Sequence, residues 1–178
     1  MSLEIEKTKI INTFIIDLKS TIRQLSDLFT FLGIQRGSSV SNLNPLEAKI
    51  SGILASYATK EYEFKKSLIA LYKKYNRPHA LGLNEILQNK ETELKAHLTD
   101  ARLKVSEIYD EILDRKYNVD PTLLNEFLDW SLSLDFEVLK KSYENMAKNN
   151  QSTSFVQEDA KIKKNLMSAL KKVIASWE

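Results

Sequence analysis

The sequence has no cysteine, only four glycines, three prolines and two histidines, and no long uninterrupted apolar run. Each scarcity excludes something. Without cysteine there is no disulfide framework and no thiolate zinc site; a chain of this kind suits a reducing compartment, and the expectation is an intracellular, cytoplasmic protein. So few glycines and prolines leave little punctuation for a many-turned β fold. No apolar stretch approaches the roughly 18 residues of a membrane-spanning helix. Met1 to Lys9 carries Glu4 and Glu6 and lacks the apolar centre of a signal peptide.

The same scarcity limits chemistry. His79 lies in an Arg77-Pro78-His79 turn, and His97 follows Glu93 by four residues, where an i,i+4 pair on a helix surface accounts for it. The Glu-x-x-His pattern of di-iron bundles does not occur. Gly33 and Gly37 are four apart but no Gly-Lys-Ser/Thr follows, so neither a phosphate loop nor a dinucleotide fingerprint is present. There is no Gly-x-Ser-x-Gly elbow. Glu107, Glu111 and Asp114 share a helix face but alternate with Arg102, Lys104 and Arg115, the pattern of a solvated surface. The expectation is a protein that is not an enzyme, with no catalytic residues, no cofactor and no metal.

What is there is a chain of 178 residues, 43% hydrophobic and 28% charged, rich in Leu, Lys, Glu, Ala and Ile, all common in helices. At this length roughly 70% of the unfolded surface can be buried, so a core needs no staple. The net charge of +2 gives no bulk pull toward nucleic acid. It is unevenly spread, however. Residues 44–77 hold seven Lys and Arg against three Glu, and residues 120–149 hold three Lys against six acids.

Apolar spacing predicts the elements. Ile11, Ile15, Leu18, Ile22, Leu25, Phe29 and Leu32 alternate steps of four and three, a heptad seam. Ile10, Phe14, Ile16, Leu28 and Phe31 widen it, which suits a bundle better than a two-stranded coil. A first helix is predicted over Leu3–Leu32, ended by Gly33, and residues 37–42 read as a loop. Asn44-Pro45-Leu46-Glu47 reads as a helix start. Leu46, Ile50, Ile53, Tyr57, Phe64, Leu68, Leu71 and Tyr75 carry that second helix to about Tyr75, where Asn76-Arg77-Pro78 stops it. A third begins near Asn84, solvated over Gln88–Glu93, and continues through Leu94, Leu98, Ala101, Val105, Ile108 and Ile112. Asp120-Pro121 caps a fourth, Thr122–Lys148, read as one kinked helix. Its centre, Trp130 to Phe136, alternates with period two and also permits a strand. After a polar loop, Ser154 to Gln157 opens a fifth helix, with Ile162, Leu166, Leu170, Val173 and Trp177 on one face among Lys161, Lys163, Lys164, Lys171 and Lys172. The fold class is therefore all-α: an elongated bundle of about five helices, three long and two shorter, in a single domain spanning 1–178. The chain stops at Trp177-Glu178 inside a helical pattern, which reads as a fragment of a longer protein.

One cluster stands out as a candidate binding site. Lys65, Lys66, Lys73, Lys74 and Arg77 surround Tyr72 and Tyr75 at the basic end of the second helix. Cations there complement the helix dipole. They also offer a patch for anionic headgroups or, with the tyrosines, for single-stranded nucleic acid. Lys66 and Lys73 are seven apart and fall on nearly one face. The leading functional expectation is a non-catalytic protein–protein interaction module, an adaptor or a subunit of a larger assembly, with a protein partner. The alternatives are a bundle that binds an anionic membrane surface and, behind it, a nucleic-acid-binding domain.

Overall fold

Among the described residues the four–three apolar spacing produces helices where it predicts them. The computed structural model describes residues 2–35, 44–77, 82–115, 117–149 and 164–172. Its helices are α1 (Leu3–Gln35), α2 (Asn44–Lys74), α3 (Leu83–Leu87), α4 (Glu91–Asp114), α5 (Pro121–Ser133) and α6 (Phe136–Asn149), with a 3-10 turn at Gln88–Lys90 between α3 and α4. Residues 164–172 are also helical. No strand occurs among the described residues, and no helix there is long and apolar enough to cross a membrane.

Four contacts set the directions of the helices. The Lys74 ammonium meets Glu6 at 3.0 Å, so the end of α2 lies beside the start of α1. The Tyr117 hydroxyl donates to the Leu32 carbonyl at 3.1 Å, which brings the end of α4 to the end of α1. The Asp120 N–H donates to Glu47 at 3.0 Å, which brings the start of α5 to the start of α2. Lys65 donates to Ser142 at 2.6 Å and joins the lower half of α2 to α6. α1 and α4 therefore run parallel, and α2 and the α5–α6 pair run the other way. α1 packs against α2 and α4, and α5 packs against α4 and α2. The helices α2 and α4 lie across the diagonal, so the connection between them crosses the end of the bundle. There α3 turns Leu83, Ile86 and Leu87 inward and packs against α6.

One continuous core fills the space between. Every member of the predicted α4 seam, from Leu94 to Ile112, is buried. On α1 the buried line runs through Ile11, Phe14, Ile15, Leu18, Leu25, Leu28 and Leu32. Phe14 stacks on Phe64 of α2 with ring centroids 4.2 Å apart. Phe29 of the predicted seam is exposed beneath the Lys104 ammonium, 5.2 Å from its ring centroid, and Ile16, read as widening the seam, faces solvent.

The helix ends differ from expectation in three places. Gly33 does not cap α1, which continues to Gln35 without a positive φ at that glycine. The third helix is not continuous: Gln88, at φ 42°, breaks it so that α3 can plug the bundle end. The predicted kinked fourth helix is two helices, and with the break in the third the described residues hold α1–α6 and the helical stretch 164–172 where about five helices are expected. Ser131 and Ser133 turn their hydroxyls back to the carbonyls of Leu128 and Trp130, a local bond that competes with helix propagation. Asp135 then caps α6 by accepting from the Glu137 and Val138 N–H groups at 2.9 and 3.3 Å. Elsewhere the end signals work as read. Asp120 accepts from the Thr122 N–H at 3.0 Å, with Pro121 in the first turn. Asn76, at φ 54°, closes α2 with bonds from the Asn76 and Arg77 N–H groups to Lys73 and Tyr72, the left-handed helix ending that Asn tolerates. The 37–42 loop, the Pro78-His79 turn and the start of the fifth helix lie outside the described residues.

Candidate functional site

The seven residues of the basic cluster do not form one surface. Helical geometry sends them around α2, and burial separates them. Lys65 is only 8% exposed and points to Ser142 on α6. Tyr72 is buried in the core. Lys74 and Tyr75 both turn to α1: the Lys74 ammonium and the Tyr75 hydroxyl hold the two oxygens of Glu6 at 3.0 and 2.6 Å. Those two bonds draw the Glu6 carboxyl below its ordinary range, and the same carboxylate pushes the Lys74 and Tyr75 pKa values up. Lys66, Lys73 and Arg77 remain exposed. The stacking pair that a nucleic-acid strand would need is not presented here, because Tyr72 faces inward and Tyr75 is tied to Glu6.

Polar groups concentrate instead on the side of α2 that faces α5 and α6. Glu47, Ser51 and Lys65 are buried there. Burial raises the Glu61 carboxyl above its ordinary range, against the opposing pull of Lys65 one turn on. Tyr57, one turn before Glu61, is also raised by burial. Its ring meets Trp130 of α5 edge-on at 5.6 Å. The Ser51 and Tyr57 hydroxyls and the Trp130 indole N–H have no protein hydrogen-bond partner among the described residues. Buried groups of this kind cost about 1–3 kcal/mol each, so this seam is less well satisfied than the apolar one opposite.

Above this seam α2 and α5 leave a crevice of about 570 Å³. Leu54, Ala55, Ala58, Glu126 and Trp130 form its walls, and residues 164–172 lie over it. The small side chains of Ala55 and Ala58 leave the space, and Lys172 reaches across it to Glu126. A second feature lies on the far flank of α5. Leu132 is 64% exposed and Leu103 of α4 is 59% exposed, with Leu128 one turn before Leu132 also exposed. Between the two helices the Arg102 guanidinium meets Asp135 at 3.4 Å. Leu103 follows Arg102 on α4, and Leu128 and Leu132 lie on α5, the helix before Asp135.

Other charged residues pair along their own helices. Lys104 meets Glu107 at 3.0 Å and Arg115 meets Glu111 at 3.3 Å, on a half-buried edge of α4 where Lys104 also covers Phe29 of α1. Glu93, expected beside His97, is held by Lys90 at 3.3 Å. No group of three or more His, Asp or Glu among the described residues is arranged to hold a metal ion. Compared with known proteins, no family model, no curated protein and no solved structure matches the chain.

Proposed function

We propose that the protein is a non-catalytic interaction module, an adaptor or assembly subunit, and that it meets a protein partner across the α4–α5 face. The observation that carries this reading is the exposure of leucines on the adjoining helices α4 and α5, which the Arg102–Asp135 bridge ties together. Leu103 and Leu132 are more than half exposed, with Leu128 one turn away. Scattered exposed leucines need no explanation, but several on adjoining helices beside an exposed ion pair have the composition of an interface, apolar centre and polar rim. Buried between two proteins, each leucine contributes about 1.5–3 kcal/mol.

The test is Leu103→Asp together with Leu132→Asp. Both side chains are exposed, so melting temperature stays within about 0.5 kcal/mol of the parent in stability terms. A partner that copurifies with the full chain and rebinds in purified form loses affinity for the double variant by at least about tenfold. Unchanged affinity removes the α4–α5 face from the contact.

A further inference from the structure

The helical stretch 164–172 is amphipathic, yet it meets the bundle with its polar edge. Asn165, Ser168, Ala169 and Lys172 border the crevice, with Leu166 at its margin, and Lys172 pairs with Glu126. Met167 is 55% exposed and Leu170 is 43% exposed. At about 100° per residue, Leu170, Met167, Lys171 and Lys164 follow one another around the outward half of the helix. Of the predicted apolar face, Leu166 turns to the crevice and Leu170 to solvent, and Met167 is exposed beside Leu170, next to the exposed Lys164 and Lys171.

The chain that covers the crevice is basic, although Asp129 is exposed near it on α5. Residues 160–172 contain five lysines and no acid. Lys172 occupies Glu126, the acid that lines the crevice. Ala55, in the crevice wall, is followed eleven residues later by Lys66 and seven further by Lys73. Those steps return to within about 20° of the same edge of α2, and both lysines are exposed. Met167 and Leu170 thus project from a side of the molecule that also carries Lys66, Lys73, Lys164 and Lys171.

We propose that this side docks on an anionic lipid surface. Met167 and Leu170 enter the boundary between headgroups and acyl chains, while the four lysines lie against the headgroups, as for a helix held in the plane of the interface. The chemistry favours lipid over a protein groove. The apolar face is a single convex helix edge, and its flanking charges are lysines, point charges on long stems that need no fixed geometry. The Leu103–Leu132 face lies on the opposite flank of α5, so the two surfaces are independent.

Cosedimentation of the full chain with phosphatidylcholine vesicles, alone or with about a third phosphatidylserine, tests the assignment. The parent sediments with the anionic vesicles at low salt and not with the neutral ones, and salt releases it. Met167→Asp with Leu170→Asp abolishes sedimentation while melting temperature is unchanged. Replacing Lys66, Lys73, Lys164 and Lys171 by Gln weakens binding on the order of a thousandfold. The Leu103→Asp, Leu132→Asp double variant still sediments, which separates this surface from the protein contact. A parent that stays in the supernatant at low salt overturns the proposal. So does sedimentation of the Met167→Asp, Leu170→Asp variant equal to that of the parent, or equal binding to neutral and anionic vesicles.

Discussion

The two sides of α2 are held by different physics. Toward α1 the contact is apolar along most of its length, where Phe14 stacks on Phe64 and Leu68 is buried beside them, and turns polar only at the end, where Lys74 and Tyr75 hold Glu6. Toward α5 and α6 the contact is a series of polar points. Glu47 accepts from Asp120, Lys65 donates to Ser142, Tyr57 lies edge-on to Trp130, and Glu61 is desolvated. A crevice of about 570 Å³ separates α2 from α5 on that side, whereas two open grooves described between α1 and α2 reach about 230 and 360 Å³. Apolar packing improves with every methylene that fits. Polar points specify position but stabilise little net, because each exchanges a bond with water for a bond with protein. The α1 side therefore supplies cohesion and the α5–α6 side supplies register.

The comparison breaks most sharply at Phe64. Phe64→Ala removes a buried ring from the α1 side and costs about 3–5 kcal/mol, read as a fall in melting temperature of about 2–4 °C per kcal/mol. A loss below about 1 kcal/mol would mean that the stack with Phe14 does not hold that side together. Glu47→Ala is the counterpart on the α5 side. It leaves the Asp120 N–H without its acceptor and costs about 1–3 kcal/mol. Amide hydrogen exchange should speed up at the start of α5 and stay slow in α1. Equal acceleration in both would contradict the division.

The smallest effect has the most diagnostic sign. Burial raises Glu61 above its ordinary pKa of 4.5, so the folded state holds this proton more tightly than the unfolded one. Stability from this group is present in acid and falls as pH rises through the folded pKa. Glu61→Gln should melt higher than the parent at pH 7, and the gain should vanish below the ordinary carboxylate range. Glu6, on the α1 side, carries the opposite sign. Tyr75 and Lys74 lower its pKa, so its contribution is present at neutral pH and disappears as pH falls through the lowered value. Melting curves of Glu61→Gln and Glu6→Gln against pH should therefore diverge from the parent in opposite directions. Parallel curves would mean that Glu61 is solvated.

Much of this architecture is legible in the amino-acid sequence. The α4 seam reads off the chain residue for residue, from Leu94 to Ile112, because a helix with neighbours on most sides buries whatever its four–three spacing lines up. The α5 start is legible as Asp-Pro and the α2 stop as Asn-Arg-Pro, since caps are local bonds. The break at Leu134–Asp135 is half legible. The period-two run from Trp130 to Phe136 marks a place where helical spacing fails, but only the Asp135 cap decides that a second helix begins there. The basic end of α2 is legible as charge and not as a surface. Lys65 and Tyr72 are drawn inward by helices far along the chain, and Lys74 and Tyr75 by Glu6, almost seventy residues earlier.

Local chemistry along the chain makes this protein helical, places most of its helix ends, and selects the residues of α1, α2 and α4 that can form a core. Those properties depend on hydrogen bonds and side-chain directions within a few residues of one another. Which faces are covered depends on the packed arrangement of the helices. The repeat through Leu166 and Leu170 resembles that of α4 on paper, yet Leu98 is buried and Leu170 is exposed. Periodicity places apolar groups on one side of a helix, but burial needs a second element of matching shape at that side. Whether one arrives there depends on chain directions set by distant contacts such as Tyr117 to Leu32 and Asp120 to Glu47.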